Sequence, residues 1–151
     1  MKHSDKYYMK QALKEAKKAF NHDEVPIGCV LVDEDGKIIS RGFNKKEELE
    51  DVTAHAEIIA IRKASKKLKN WRLNNTTLYV TLEPCLMCAG AILSSRISKI
   101  VIGAKEPETG AFGSKYNVLE KANQKIEISF GILEDESKGV LIEFFKSKRK
   151  K

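Results

Sequence analysis

The stretch Thr77-Leu-Tyr-Val-Thr-Leu-Glu-Pro-Cys-Leu-Met-Cys88 decides the fold, because a strand runs there directly into a helix that carries two cysteines. Residues 77–82 are rich in β-branched and aromatic side chains, which favour a strand. Pro84 suits the opening of a helix, where its missing N–H costs nothing. The pattern predicts that this helix carries Cys85 to about Ser94 and that residues 99–103 form the next buried strand.

The rest of the chain continues the alternation of strands and helices. Ser4 is predicted to cap a helix ending near Asn21, and residues 25–32 and 37–43 form a hairpin around the turn 33–36. A polar loop, a helix, a last strand and a closing helix are predicted at residues 44–51, 53–68, 126–130 and 135–148. The apolar faces of the two helices would be Ile58, Ile59, Ile61 and Ala64 in the first, and Val140, Leu141, Phe144 and Phe145 in the second. This alternation predicts an α/β domain with helices packed on a central sheet.

Size and composition fit one soluble globular domain spanning residues 1–151. Hydrophobic residues make up 42% of the chain and charged residues 32%. No apolar run approaches the roughly 18 residues that span a bilayer, and the first residues lack the apolar segment of a secretory signal. We therefore expect a cytoplasmic protein with no membrane partner.

The formal net charge of +7 favours a polyanionic partner, although many basic proteins bind none. The three cysteines are an odd number, and two of them stand three positions apart. A disulfide framework is therefore a poor explanation, and metal binding or redox chemistry is a better one.

Two short motifs together supply the groups that a catalytic zinc site needs. His55-Ala-Glu57 contributes an imidazole and a carboxylate, and Cys85 and Cys88 contribute two thiolates. A catalytic zinc takes three protein ligands and keeps one position for water. With His55, Cys85 and Cys88 as ligands, Glu57 is left free to move protons, which predicts hydrolytic chemistry on a nucleobase.

The two motifs by themselves are also compatible with a redox site or a structural zinc site. Cys-x-x-Cys by itself is more often a redox motif or part of a structural zinc site. A structural site would need a fourth protein ligand, for which the chain offers His3, His22 and Cys29. His3 lies in a terminal tail, His22 in a predicted solvated turn, and Cys29 in the middle of a buried strand. None of the three is a favoured metal ligand.

At a larger scale the sequence resembles the bacterial tRNA adenosine deaminases of the cytidine deaminase superfamily, and the resemblance covers nearly the whole chain. The His-x-Glu and Pro-Cys-x-x-Cys signature is known from zinc-dependent nucleobase deaminases, a class that includes this very family. The matching stretches are Val25-Pro-Ile-Gly-Cys-Val-Leu-Val32, Gly42-Phe-Asn44, Thr53-Ala-His-Ala-Glu57, Leu78-Tyr-Val-Thr-Leu-Glu-Pro-Cys-Leu-Met-Cys-Ala-Gly-Ala-Ile92, Ser95-Arg-Ile97 and Thr109-Gly-Ala111.

The resemblance implies a three-layer cytidine-deaminase-like domain with a central mixed five-stranded sheet. It also implies one Zn²⁺ per chain, held by His55, Cys85 and Cys88, with Glu57 as proton shuttle. The reaction would be hydrolytic deamination of the wobble adenosine to inosine in a tRNA anticodon stem-loop, usually of an arginine tRNA, by a homodimer. Asn44 matches a position that hydrogen-bonds the flipped adenine.

Further substrate contacts are implied by the same resemblance. Ala56 would line the pocket with its backbone, and Glu106 stands where many relatives place Asp, so that its extra methylene would displace the carboxylate that contacts RNA. The basic C-terminal helix and tail would contact RNA through the matching positions Phe144, Phe145, Lys146, Lys148 and Arg149. The run from residue 146 to 151 is otherwise expected to be a frayed, solvated terminus, and phenylalanines 144 and 145 to be core residues.

Three rival functions would use some of the same residues. A small-molecule deaminase acting on guanine, cytosine or dCMP would need the same metal and the same Glu57. A structural zinc module could bind RNA without chemistry, although such a site has little use for an unliganded carboxylate. A Cys-x-x-Cys redox protein is the third. The context of Cys88, together with Asn44 and the basic C-terminus, favours the tRNA substrate.

Overall fold

In the computed structural model of the chain, residues 2–149 are described, and these residues form four helices and five strands. Their bounds in chain order are α1 (Asp5–Asn21), β1 (Gly28–Val32), β2 (Ile38–Phe43), α2 (Ala56–Leu68), β3 (Thr77–Leu82), α3 (Leu86–Ser94), β4 (Lys99–Ala104), β5 (Glu127–Phe130) and α4 (Glu134–Arg149).

The five strands form one mixed sheet in the order β2-β1-β3-β4-β5. Strand β1 is antiparallel to both β2 and β3, whereas β3, β4 and β5 run parallel to one another. The carboxyl ends of β2, β3 and β4 therefore lie at the same edge of the sheet, where parallel α/β sheets form their ligand sites. The predicted mixed five-stranded sheet is confirmed.

Helices cover both faces of the sheet, so β1 and β3 are buried on both sides. Cys29 and Leu31 of β1 pack into a core shared with α2 and α3, while Val30 and Val32 pack against α1. Helix α4 contacts β4 and lies beside α1, where Phe20 and Phe144 meet edge to face at 5.6 Å. This arrangement confirms the predicted three-layer α/β domain.

Helix α1 matches its prediction, whereas β1 and α3 begin later than predicted. Ser4 is the N-cap of α1, and its Oγ accepts a hydrogen bond from the Tyr7 N–H. Strand β1 begins at Gly28 rather than residue 25, since Pro26 has no N–H to give to the ladder. Helix α3 begins at Leu86, with Cys85 as its N-cap, so that Pro84 lies just before the helix instead of opening it.

The start of α2 and its buried face also differ from the prediction. The helix begins at Ala56 rather than residue 53, because the Thr53 N–H and hydroxyl both bind the Asp51 carboxylate and hold the chain in a turn. The buried apolar face consists of Ala56, Ala60 and Ala64, whereas Ile58, Ile59 and Ile61 are only half-buried.

A close helix–strand approach explains that buried face. A Cβ at Gly42 in β2 would lie 2.3 Å from the Ala56 carbonyl oxygen and 3.0 Å from the Ala60 amide nitrogen. Because β2 and α2 approach so closely at Gly42, the side of α2 that faces β2 has room for alanine side chains but not for isoleucine.

Helix α4 keeps only part of its predicted apolar face inside. Phe144 is buried, Val140 and Leu141 are half-buried, and Phe145 is 45% exposed. The helix continues through Arg149 rather than fraying after residue 145. Lys150 and Lys151 of the predicted basic tail lie outside the described residues.

Candidate active site

The predicted metal ligands, Glu57, Asn44 and Glu106 lie at the edge where β2, β3 and β4 end. Asn44 directly follows β2, Cys85 is the third residue after β3, and Glu106 is the second residue after β4. The Lys45 N–H donates to the carbonyl oxygen of Ala54, which brings the loop after β2 against the start of α2 and its His55. The topology thus collects residues that are up to 62 positions apart in sequence (44 to 106).

His55 and Cys85 are the N-caps of α2 and α3, and neither side chain bonds to its own helix. Cys88 lies in the first turn of α3. The two helix starts face each other, so the unpaired amides and the positive ends of both helix dipoles point toward one small region. Both side chains are therefore free to bind something else, in a place that favours negative charge.

The three side chains have the spacing of a zinc site. The His55 Nδ1 atom lies 3.7 Å from the Cys85 Sγ and 3.5 Å from the Cys88 Sγ. A tetrahedral zinc with Zn–S of about 2.3 Å and Zn–N of about 2.0–2.1 Å sets the N···S separation at roughly 3.5–3.6 Å. His55, Cys85 and Cys88 therefore fit a zinc ion, with Nδ1 as the nitrogen ligand.

Within residues 2–149, no fourth His, Cys, Asp or Glu joins this group. His3 stacks on Tyr7, His22 caps the end of α1, and Cys29 is buried in β1. Three protein ligands are typical of a catalytic zinc site, while a structural site is closed by four.

Electrostatics within the group favour one ionised sulfur. Hydrogen bonding to Cys88 and to His55 lowers the pKa of Cys85 to about 3. Hydrogen bonding to Cys85, together with burial, raises the pKa of Cys88. His55 has its pKa raised, chiefly by its contact with the Cys85 sulfur. The Cys85 sulfur is thus readily ionised, and the thiolate is the form in which a cysteine binds a metal.

Glu57 is a buried carboxyl group beside this cluster. It lies in the first turn of α2 and is 3% exposed. Burial is the main cause that raises its pKa to about 7. A carboxyl group with such a pKa can both take up and release a proton near neutral pH, which suits a general acid–base.

Asn44 borders a cavity of about 630 Å³. Its side chain is already engaged in two hydrogen bonds: Nδ2 donates to the carbonyl of Val25, in the segment before β1, and Oδ1 accepts from the Lys46 N–H of its own loop. None of His55, Cys85 or Cys88 lines this cavity. The full lining is His22, Asp23, Glu24, Val25, Asn44, Lys46, Glu47, Glu48, Phe144 and Lys148.

Ala56 directly follows the ligand candidate His55, and Glu106 is the second residue after β4. Ala56 is fully buried at the start of α2, with its backbone as well as its side chain covered. Glu106 is half-buried, and its carboxylate accepts a hydrogen bond from the Glu108 N–H. That carboxylate is therefore already partly engaged in the turn of its own loop.

The predicted RNA-contacting residues at the end of α4 differ in where they lie. Phe144 and Lys148 line the cavity, and Lys148 forms an ion pair with Asp23 while its ammonium lies 5.5 Å from the Phe144 ring centre. Phe145, Lys146 and Arg149 are exposed. The structure thus brings Phe144 and Lys148 to the cavity beside Asn44 and leaves the other three on the surface.

The sequence profile described as the cytidine and deoxycytidylate deaminase zinc-binding region matches residues 2–104. That range is more than half of the 151 residues and contains all of the cluster. The chain belongs to this family. The family is zinc-binding, and the His–Cys–Cys group described above fits that property.

Two full-length relatives support the assignment. The chain is 50% identical over 149 residues to the tRNA-specific adenosine deaminase of Bacillus subtilis, covering 97% of this chain and 92% of the relative. A solved structure from a study of A-to-I editing by tRNA:A34 deaminases at the wobble position is 45% identical, with a TM-score of 0.83, over 89% of this chain and 99% of the other.

A guanine deaminase from Nitrosomonas europaea shares the fold. Its identity to this chain is 23% and the TM-score is 0.79, over 95% of this chain and 85% of the other. At that identity the likeness concerns the fold alone.

Two buried carboxylates at the site were missed by the sequence reasoning. Glu83 and Glu24 are 3% and 1% exposed, and both bind loops that border the site. Glu83 stands inside the quoted Leu82-Glu-Pro-Cys85 stretch, but a glutamate there carries no signal of burial. Glu24 follows the α1 terminus, where a solvated residue is the usual expectation.

None of the helices among residues 2–149 has the length and apolar character to cross a membrane.

Proposed function

We propose that this protein is a zinc-dependent tRNA adenosine deaminase that converts the wobble adenosine of an anticodon to inosine. The observation that carries the proposal is the three-ligand group His55–Cys85–Cys88 with the buried Glu57 beside it. The relatives named above act on tRNA by their names, and they match this chain over nearly its full length.

The roles of the cluster follow from the chemistry of its donors. His55, Cys85 and Cys88 would hold one zinc ion per chain. Zinc in such a site supplies Lewis acidity, which lowers the pKa of water to about 7. The helix N-termini that carry His55 and Cys85 would further favour the anionic sulfurs.

Glu57 would move the protons of the reaction. Deamination adds water at the ring carbon that bears the amine, protonates the adjacent ring nitrogen and releases ammonia. Water gives up two protons in this sequence, one of which goes to the ring nitrogen and the other to the leaving amine. Glu57 is the buried, unliganded carboxyl group in position to take and return them, and its burial excludes bulk water from the exchange.

For substrate binding, we propose that Asn44 and the Ala56 backbone contact the flipped adenine. Glu106 and the α4 residues Phe144, Phe145, Lys146, Lys148 and Arg149 would contact the rest of the anticodon stem-loop. Their support is the resemblance together with their placement at the sheet edge or at the end of α4. Lys148 would exchange its Asp23 partner for a phosphate. The resemblance further supports an arginine tRNA as the target.

We further propose that the protein works as a homodimer. Apolar side chains near the cluster remain uncovered in one chain, including Leu86 and Met87 in the first turn of α3 and the half-buried isoleucines of α2. A second copy of the chain would cover them. Sedimentation equilibrium tests this, with a monomeric mass as the contrary result.

The domain and compartment follow from the same proposal. Residues 1–151 would act as a single zinc-dependent deaminase domain, with α4 and the following lysines as its basic C-terminal extension. An enzyme acting on tRNA would work in the cytoplasm.

The deciding experiment measures inosine in an arginine tRNA with adenosine at the wobble position, after incubation with the zinc-loaded protein. Glu57→Gln serves as the inactive control, and zinc content is measured for both proteins. We expect inosine from the wild type only, with equal zinc in both.

The rival functions give distinct outcomes in the same experiment. Ammonia from guanine, cytosine or dCMP, with the tRNA unchanged, would assign a small-molecule deaminase. Bound zinc with RNA binding but no turnover would indicate a structural module. Absence of zinc and a disulfide between Cys85 and Cys88 would indicate a redox protein.

A further inference from the structure

Glu83 is a buried carboxylate to which the reaction itself gives no role. It is the first residue after β3, two positions before Cys85, and it is 3% exposed. Among the described residues 2–149 it forms no ion pair with a lysine, arginine or histidine. A buried carboxylate without a counter-ion must be compensated by hydrogen-bond donors.

Those donors all come from the loop that follows β4. Oε1 accepts from the Glu106 N–H at 3.1 Å and from the Ser114 hydroxyl. Oε2 accepts from the Phe112 N–H at 2.9 Å and from the Ser114 N–H at 3.2 Å. One side chain thus fixes both ends of residues 106–114, which we call the Glu83-bound loop.

Backbone packing brings the same loop against the start of α3. The Ala111 N–H donates to the Pro84 carbonyl at 2.9 Å. A Cβ at Gly110 would lie 2.4 Å from the Glu83 Cδ and 2.5 Å from the Glu106 carbonyl oxygen. Glycine at 110 is therefore needed for the loop to close over the carboxylate.

We propose that Glu83 is a positioning residue for RNA binding. It holds the Glu83-bound loop, and with it Glu106, in a fixed position relative to Cys85. The assignment of RNA as the ligand rests on the proposed function. The placement of the loop rests on the hydrogen bonds alone.

Because Glu83 lies close to the metal ligands, the experiment must distinguish the effect of its charge from the effect of its hydrogen bonds to the loop. Glu83→Gln removes the charge and replaces one acceptor oxygen by a donor. Gly110→Ala keeps the charge and displaces the loop. Ser114→Ala keeps the charge and the backbone and removes one donor, so its effect should be the smallest.

The first readout is steady-state editing of the tRNA by zinc-loaded protein. We expect KM for tRNA to rise about tenfold in Glu83→Gln and in Gly110→Ala, since each loses contacts worth a tenfold factor or more. The value of kcat should stay within about threefold, because neither variant touches the residues that move protons. Zinc content should remain at the wild-type value.

The second readout is amide hydrogen exchange, which needs no substrate. In Glu83→Gln the amides of Glu106, Phe112 and Ser114 should exchange at least tenfold faster than in the wild type. Glu24→Gln is the matched control, since Glu24 is equally buried and accepts from the Glu47 and Glu48 amides at 3.0 and 2.7 Å.

Glu83→Gln should increase exchange only in the Glu83-bound loop, and Glu24→Gln only at the amides of Glu47 and Glu48.

Several results would overturn the proposal. Unchanged KM in both Glu83→Gln and Gly110→Ala would remove the role in RNA binding, and loss of zinc in Glu83→Gln would assign Glu83 to support of the metal ligands. Unchanged exchange of the loop amides would remove the positioning role. If the wild type edits no tRNA, the proposed function fails, while exchange still decides whether Glu83 holds the loop.

Discussion

Replacing Gly42 by alanine should displace the helix that carries Glu57. Gly42 lies in β2 directly against the first turn of α2, where an added Cβ would be 2.3 Å from the Ala56 carbonyl oxygen. The Ala60 amide nitrogen is 3.0 Å away on the same side. Both are backbone atoms, so no flexible side chain can move aside and α2 itself must shift.

The size of the effect follows from that geometry. Overpacking of a core costs typically about 1–3 kcal/mol, and contact with backbone places Gly42→Ala at about 3 kcal/mol. For a chain of this length, we expect the Tm to fall by about 6–12 °C. A shift of Glu57 by about 1 Å could lower the rate about a hundredfold.

The assay combines thermal unfolding with inosine formation, both on zinc-loaded protein. Gly139→Ala in α4 is the matched control, because a Cβ there meets no atom within 4 Å. It should gain about 0.5–1 kcal/mol from helix propensity and leave the rate unchanged. A Gly42→Ala protein with wild-type Tm and wild-type rate would refute the argument that this contact positions α2.

Three further changes test the proposed site. Glu57→Gln should keep zinc content and lower turnover about 10²–10⁴-fold, since only proton transfer is lost; retention of most activity would contradict this role. Cys88→Ala should lose zinc and lower the Tm together, because metal binding is coupled to folding, and an unchanged Tm would contradict that coupling. Removal of residues 146–151 should weaken tRNA binding and flatten the dependence of log K on log salt by about 0.7–0.9 per lost phosphate contact; an unchanged slope would exclude the tail from binding.

The cluster could be predicted because its donors carry strong local signals. His-x-Glu and Cys-x-x-Cys each restrict the chemistry, and the strand before Cys85 is unambiguous. Their assembly at one sheet edge then follows from the order of the elements, because α2 and α3 both begin there. The roles of these residues and of the RNA contacts stay predictions.

The failures had a common physical cause, which is packing between distant segments. The isoleucines of α2 outweigh its alanines in hydrophobicity, yet the close approach of Gly42 selects the alanine side for burial. Glu83 likewise owes its burial to donors from a loop 23 to 31 residues later. Periodicity within one element contains neither kind of information.

The placement of His55 and Cys85 at two facing helix starts has a consequence for the rate at which the protein is degraded in the cell. A shared ion would cross-link the chain across 30 residues, from 55 to 85. A covalent tie around a loop of that size removes chain entropy worth about 3.6 kcal/mol at 25 °C from the unfolded state. When zinc is scarce, the untied chain would open more often and be degraded faster. Metal supply would then set the abundance of the protein as well as its activity.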